Sequence, residues 1–245
     1  MSTVSVAGIN AVEAALEHDA KRVHELLIEA RAKNPRLHEL AQRARAAGVA
    51  VRHVPNDELS RHAEGTRHQG IVAVCSTQEN LGEGDLDELI GRTPSPLLLV
   101  LDGVQDPHNL GACLRSADAA GAAAVIVPRD RAVGITPVVR KVAAGAAERV
   151  PLIRVANLAR TLKSLKSAGV WIVGLAGEAE QTLYAIDLKG PIAIALGSEG
   201  EGLRRLTREH CDYLAKIPMR GATESLNVSV ATGIALFEAV RQRGG

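Results

Sequence analysis

From residue 96 onward, short runs of nearly uninterrupted apolar residues recur at regular intervals: 97–101, 123–127, 150–155, 170–176, 191–197 and 213–218. A strand that is apolar on both faces must be covered on both faces. Strands of that kind belong to parallel sheets, whose connections run through crossover helices. The intervening stretches carry apolar residues at helical spacing, and helices are predicted over 109–120, 137–147, 157–168, 201–211 and after Ser225. Their starts are marked by Asn109, Thr136-Pro137 and Asn157, and stops by Gly121 and Gly169. The pattern predicts an α/β domain with a mostly parallel, doubly covered sheet. Ligands on such sheets bind beyond the carboxyl ends of the strands. Three loops qualify, at 102–108, 197–202 and 219–224.

The chain before this region reads as a smaller α/β unit. Helices are expected over 9–16 and 36–47, a short apolar run lies in 23–30, and strands are expected at 49–54 and 70–76. A further helix over 56–63 is expected to start with Asn56 as its cap. The stretch 77–95 is acidic and punctuated by Gly and Pro, with a short helix predicted around Leu86–Ile90. The expected organisation is therefore a first domain over 1–76, a linker over 77–95 and a second domain over 96–245.

Several function classes are disfavoured by composition. The net charge of +1 gives no strong basic footprint, so any nucleic-acid contact must come from a local patch. Trp171, Tyr184, Tyr213 and Phe237 are the only aromatic residues, which limits base reading by stacked rings. Three widely spaced cysteines, with no CxxC pair, argue against a disulfide framework or a zinc site and for a reducing compartment. Six of the eight histidines precede residue 70 without metal-ligand spacing, so no metal is expected. The N-terminus lacks an apolar signal core, and no stretch approaches the ~20 apolar residues of a membrane span. A cytoplasmic protein without membrane association is expected.

Each of the three loops carries polar chemistry. In the first, Asn109 opens a helix whose exposed N–H groups favour an anion, and Arg115 follows six residues later. Helical side chains lean toward the N-terminus, so Arg115 can offer a planar fork to a phosphodiester. It can equally pair with Asp118 or Glu199. The second loop, GSEGEG at 197–202, can admit a ligand to its backbone or can simply form a tight turn. The third places Ser225, Asn227 and Ser229 at a helix start, as caps or as site residues. Beyond them, Leu226, Val230, Ile234 and Phe237 recur at helical spacing, a face for the core or for a second subunit. A nicotinamide dehydrogenase would need an early GxGxxG, which is missing.

Taken together, DPHNLGACLRSADAAG, IALGSEGEGLRR and IPMRGATESLNVSVATGIALFEAVRQR resemble the three ordered motifs of the SpoU (TrmH-like) RNA 2′-O-ribose methyltransferases, and HQGIVA adds to the likeness. The likeness spans essentially the whole chain. It is strongest to the members that methylate a guanosine of 23S rRNA in the peptidyl-transferase P loop; the same reaction on tRNA or another rRNA site is the alternative.

The resemblance implies a SPOUT-type α/β catalytic domain with a deep C-terminal trefoil knot, and an N-terminal L30e-like module that captures RNA. It implies S-adenosylmethionine as cofactor and a homodimer formed through the catalytic domain. The RNA partner would be 23S rRNA or a large-subunit assembly intermediate. Family roles fall on Asn109, Arg115, Glu199, Ser225 and Asn227 at the reaction centre. Cofactor contacts fall on the backbone near Leu175, Gly197, Ile217 and Leu226. RNA capture is expected from two basic loops, Arg31, Lys33 and Arg36 in one, and Arg61, Arg67 and His68 in the other.

Overall fold

A computed structural model of the chain describes residues 3–63, 65–76 and 81–244. Residues 77–80 of the expected linker lie outside the described residues.

The chain begins with β1 (Thr3–Ala7), α1 (Ile9–Asp19), β2 (Val23–Glu29), α2 (Pro35–Ala46), β3 (Ala50–Val54), α3 (Asn56–His62) and β4 (Ile71–Ser76). The strands form one sheet in the order β1-β4-β2-β3, with β2 and β3 parallel and the other pairs antiparallel. Alternation along the strands separates two apolar layers. Leu26, Ile28, Ile71 and Ala73 face a core shared with α1 and α2, while Leu27 and Val72 face Leu59 on α3. At α2, Asn34 accepts the Arg36 N–H and Pro35 occupies the first helical position. At α3 the cap differs from expectation. Pro55 precedes the helix, and Asn56 lies inside it, its amide donating to Glu29 Oε1 at 3.3 Å. No side chain caps that helix.

Next come α4 (Glu83–Arg92), β5 (Leu97–Asp102), α5 (Pro107–Ala119), β6 (Ala124–Pro128), α6 (Pro137–Ala143), α7 (Ala146–Arg149) and β7 (Leu152–Val155). They are followed by α8 (Leu158–Ser167), β8 (Trp171–Leu175), β9 (Gln181–Thr182), β10 (Ile192–Gly197), α9 (Arg205–His210), β11 (Tyr213–Lys216) and α10 (Val228–Gln242). All strands from β5 onward join one sheet, ordered β7-β6-β5-β10-β8-β11-β9, and each neighbouring pair is parallel. β5 is buried at every residue, as a strand covered on both faces must be. One of the covering layers, with Leu158, Leu162 and Leu165 of α8, packs on Val100, Ile126 and Ile153.

Two further sequence expectations give way. The helix predicted over 137–147 breaks where Ala144 and Gly145 turn left-handed, at φ 52 and 98. A Cβ on Gly145 would meet the Asn10 carbonyl oxygen at 2.9 Å, so the close approach requires glycine. The helix expected from Asn109 instead starts at Pro107, capped by Asp106, whose carboxylate accepts the His108 N–H at 2.9 Å. By compactness the chain divides into two units. One comprises residues 1–79 and 135–149, the other residues 80–134 and 150–245. In the first, Arg140 and Glu148 form a buried ion pair at 2.7 Å. The second carries the three polar loops.

Candidate active site

Register brings the first two loops together. β5 and β10 are adjacent, and their last residues, Asp102 and Gly197, are partners. Because Asp106 caps α5, Asn109 is released from that task and sits in the first turn, 8% exposed. Its Nδ2 donates to Glu199 Oε1 at 3.1 Å. Asn227 Nδ2 donates to the same oxygen at 2.6 Å and to Asn109 Oδ1 at 3.0 Å. Asn227 Oδ1 in turn caps α10, accepting from the Ser229 N–H at 2.9 Å and its hydroxyl at 2.6 Å. One carboxylate thus holds two amides from segments 90 and 28 residues away, while its Oε2 makes no hydrogen bond among the described residues. Charge-assisted bonds of this kind fix geometry better than neutral ones.

The Gly197 loop is folded back on itself. Ser198 bridges Gly202, and a Cβ on Gly197 would lie 1.8 Å from the Gly202 carbonyl carbon. The tight turn is therefore the structural reason for this glycine, and it presents Glu199 to the two asparagines. Below the turn, the buried Asp102 carboxylate accepts from the Arg204 backbone N–H at 3.1 Å and from its guanidinium at 2.5 Å. Sequence reasoning did not single out this pair. The available signal was a charged residue closing an otherwise wholly apolar strand.

These groups open into a cavity of about 450 Å³, lined among others by Gly103–Asp106, Asn109, Arg131, Ser198, Glu199, Glu201 and Arg204. That size suits a small-molecule or nucleotide site. Arg115 and Ser225 do not line it. Arg115 is exposed on α5 and makes no hydrogen bond or ion pair among the described residues. Ser225 lies in the exposed stretch 219–225.

Leu175, Gly197 and Ile217 lie at the ends of β8, β10 and β11, adjacent strands on one edge, and Leu226 precedes α10, which packs on β10. All four are half-buried. Residues 219–226 make no hydrogen bond among the described residues. Aliphatic side chains beside open backbone donors and acceptors fit an adenosine-type cofactor, whose base needs an apolar slot and whose polar edges need amide partners. Among the described residues, no group of three His, Cys, Asp or Glu could hold a metal ion. Cys113, on the buried face of α5, is pushed up to about 11 by burial, partly offset by its contact with Thr232.

The basic residues expected to capture RNA lie at the surface of the first unit. Arg31 and Lys33 are exposed after β2. Arg36 pairs with Glu13 at 2.8 Å, and Arg61 with Asp57 at 3.7 Å, exposed pairs of little energetic weight. Arg67 and His68 line a shallow cavity of about 580 Å³ with Ser60 and Gln69. His68 is fixed at both ring nitrogens, by the Gly70 N–H at 3.0 Å and the Ser60 hydroxyl at 3.3 Å.

Residues 96–237 match the model of the SpoU rRNA Methylase family. The chain belongs to that family. Residues 5–81 match a second model, described as RNA 2′-O ribose methyltransferase substrate binding. The chain is 58% identical to the 23S rRNA (guanosine-2′-O-)-methyltransferase RlmB of Shewanella oneidensis, covering 96% of each chain. It is 56% identical to the RlmB of Pseudomonas putida, over 96% of this chain and 95% of that one. Among solved structures, the SpoU methyltransferase AviRb from Streptomyces viridochromogenes in complex with AdoMet superposes with a TM-score of 0.82 at 27% identity. The match covers 98% of this chain and 90% of AviRb. The A. aeolicus TrmH/SpoU tRNA modifying enzyme matches over 66% of the chain, with a TM-score of 0.57. The SpoU methylase match covers all three polar loops, and the hydrogen-bonded carboxylate cluster lies within it.

Proposed function

We propose that the chain transfers the methyl group of S-adenosylmethionine to the ribose 2′-oxygen of a guanosine in 23S rRNA, in the peptidyl-transferase P loop. The reading is carried by the Asn109–Glu199–Asn227 cluster, a fixed carboxylate at the mouth of a nucleotide-sized cleft. Its substrate is supported by 54–58% identity to curated guanosine-2′-O-methyltransferases along nearly the whole chain.

The cofactor supplies an already reactive methyl group, held by backbone near Leu175, Gly197, Ile217 and Leu226. What remains for the protein is to align the 2′-oxygen and to stabilise the charge that develops on it. Arg115 does this as a charged fork, holding the adjacent phosphate and polarising the hydroxyl. The 2′-oxygen would form its bond to the methyl carbon as the carbon–sulfur bond breaks, the electron pair staying on sulfur in the departing S-adenosylhomocysteine, and the hydroxyl proton would leave to phosphate or solvent. A neutral guanidine base is disfavoured by an arginine pKa above ~12. Glu199, positioned by Asn109 and Asn227, orients the incoming guanidinium through its open Oε2. Ser225 contributes from the loop before α10.

Arg115 stands away from the cleft of its own chain, which supports a homodimer in which it completes the partner's site. Val230 and Phe237 on α10 are 50% and 49% exposed, an apolar face suited to that contact. The insertion of β10 between β5 and β8 supports a knotted crossing of the last loops. Residues 1–76 act as the L30e-like RNA-capture domain, 77–95 as linker and 96–245 as the catalytic domain. Arg31, Lys33, Arg36, Arg61, Arg67 and His68 grip the RNA backbone, in free 23S rRNA or an assembly intermediate. The setting is cytoplasmic; no helix among the described residues is long and apolar enough to cross a membrane.

Transfer of labelled methyl to a panel of 23S rRNA fragments and tRNAs, with mapping of the modified nucleotide, tests the reading. Labelling of one P-loop guanosine is expected. Labelling of tRNA alone sinks the substrate, and no labelling sinks the reaction.

A further inference from the structure

Beside the reaction cleft, beyond the ends of β6 and β7, lies a second cavity of about 390 Å³. Two features join it to the first. Arg204, anchored on Asp102, lines both cavities. The loop after β6 lines both as well: Asp130 borders the second cavity and Arg131 the first. Arg131 holds a left-handed backbone at φ 58, a conformation that residues with a Cβ adopt rarely, and its side chain makes no hydrogen bond or ion pair among the described residues. Strain of this kind gathers where a ligand is held.

The second cavity has both apolar and polar lining. Leu158 and Leu206 line it, and Leu206 is 49% exposed despite its aliphatic side chain. Arg205 and the Asn157 cap of α8 line it too. Its lining arginines are already held by carboxylates, Arg204 by Asp102 and Arg205 by Glu209, so what stands open is the leucine surface and, on the neighbouring loop, the Arg131 guanidinium, without a partner among the described residues. A nucleotide satisfies both, since its base is a flat apolar plate with hydrogen-bonding edges and its phosphate is an anion. With so few aromatic rings, the chain must seat a base on aliphatic and guanidinium surfaces.

We infer that this cavity is the subsite for a nucleotide flanking the methylated one, its base on Leu206 and Leu158, with Arg131 and Arg204 at the phosphate between the two. The inference rests on the RNA methyl transfer proposed above. It makes Arg131 a positioning residue for the substrate strand and Leu206 a determinant of sequence context.

The test is steady-state methylation by the full chain of a transcribed 23S rRNA fragment, and of the same fragment carrying an abasic site at each flanking nucleotide in turn. Leu206→Asp is expected to raise the KM for RNA about tenfold, the order of one stacked base, with kcat and S-adenosylmethionine affinity unchanged. One abasic position is expected to raise the wild-type KM similarly, and the two changes together are expected to give no further rise. Arg131→Gly keeps the left-handed backbone and removes the charge. It is expected to flatten the dependence of log KM on log salt by about 0.7, one phosphate on a single strand. A wild-type KM for Leu206→Asp, or effects that multiply with every abasic position, overturns the subsite while wild-type methylation stands. An unchanged salt slope removes Arg131 from it. Failure of the wild-type chain to methylate any fragment overturns the underlying reading, and the subsite with it.

Discussion

Glu199 is the residue on which the site's geometry converges. Its Oε1 receives two amide donors, its other oxygen makes no hydrogen bond among the described residues, and the residue lines the cleft. Glu199→Gln keeps the shape and removes the charge, so kcat is expected to fall about a hundredfold, the scale of a lost electrostatic contact in a transition state. Titration with S-adenosylmethionine should give an unchanged affinity. Arg115→Ala should remove most turnover at the same cofactor affinity. Arg115→Lys keeps the charge but loses the planar fork, and near-normal turnover in that variant would rule out bidentate holding. The thiols give a separate check on burial. Burial pushes Cys75 up to about 12 and Cys113 up to about 11, so both stay protonated at pH 8. Raised folded values mean that their contribution to stability is complete below the ordinary thiol value of about 9 and declines as pH rises from there toward 11. Ellman's reagent at pH 8 should leave both unreacted in the native chain and consume both in denaturant; rapid native reaction at Cys113 would contradict the packing of α5 on α10. Asn109 and Asn227 were legible because polar residues clustered where strands end. Asp102 was not, because one charge after five apolar residues also reads as a simple strand end.

At the scale of elements, all six apolar runs after residue 96 form strands, and periodicity located every long helix. What failed was local chemistry overruled by neighbours. Asn109 looked like a cap, but Pro107 sets the first turn earlier and leaves that role to Asp106. The break at Ala144–Gly145 answers to the Asn10 carbonyl, more than a hundred residues away in sequence. β9, two residues long, is too short for any pattern to show, and β1 was passed over in its Ser- and Thr-containing stretch. The glycine loop gives an element-scale prediction because its glycines differ in kind. Gly197→Ala puts a Cβ against the Gly202 carbonyl carbon, and the turn must open. A loss of about 1–3 kcal/mol is expected, as for overpacking, with weakened S-adenosylmethionine binding. Gly202→Ala meets nothing within 4 Å and carries only the left-handed penalty at φ 67, about 1–2 kcal/mol. Thermal denaturation with cofactor titration should separate them. If both variants bind cofactor like the wild type, the loop is merely a turn.

At the scale of the molecule, periodicity and composition carry little. They give an α/β class and two compact parts; the knot, the cofactor and the dimer entered only through the family resemblance. The structure adds one asymmetry: Asn109 and Arg115 share a helix, yet one is buried in the cluster and the other is exposed. Six residues of helix turn a side chain about 120° away from its starting direction and carry it about 9 Å along the axis. If Arg115 acts as proposed, a single chain splits its reaction centre, and a two-fold dimer would reunite it. Mixing tests this directly. Arg115→Ala and Glu199→Gln are each expected to be nearly inactive. In a mixed dimer with Arg115 acting on the partner, one site receives both an intact Glu199 and an intact Arg115. After subunit exchange of equal amounts, half the dimers are mixed and each has one good site, so about a quarter of wild-type activity should return. If Arg115 acts within its own chain, every site in the mixture keeps one lesion and nothing returns. Phe237→Glu supplies the companion measurement. It places a charge on the apolar face of α10, and sedimentation should show a folded monomer that binds S-adenosylmethionine but no longer methylates RNA. A Phe237→Glu chain that stays dimeric and active would move the subunit contact off α10 and leave the split site without a partner.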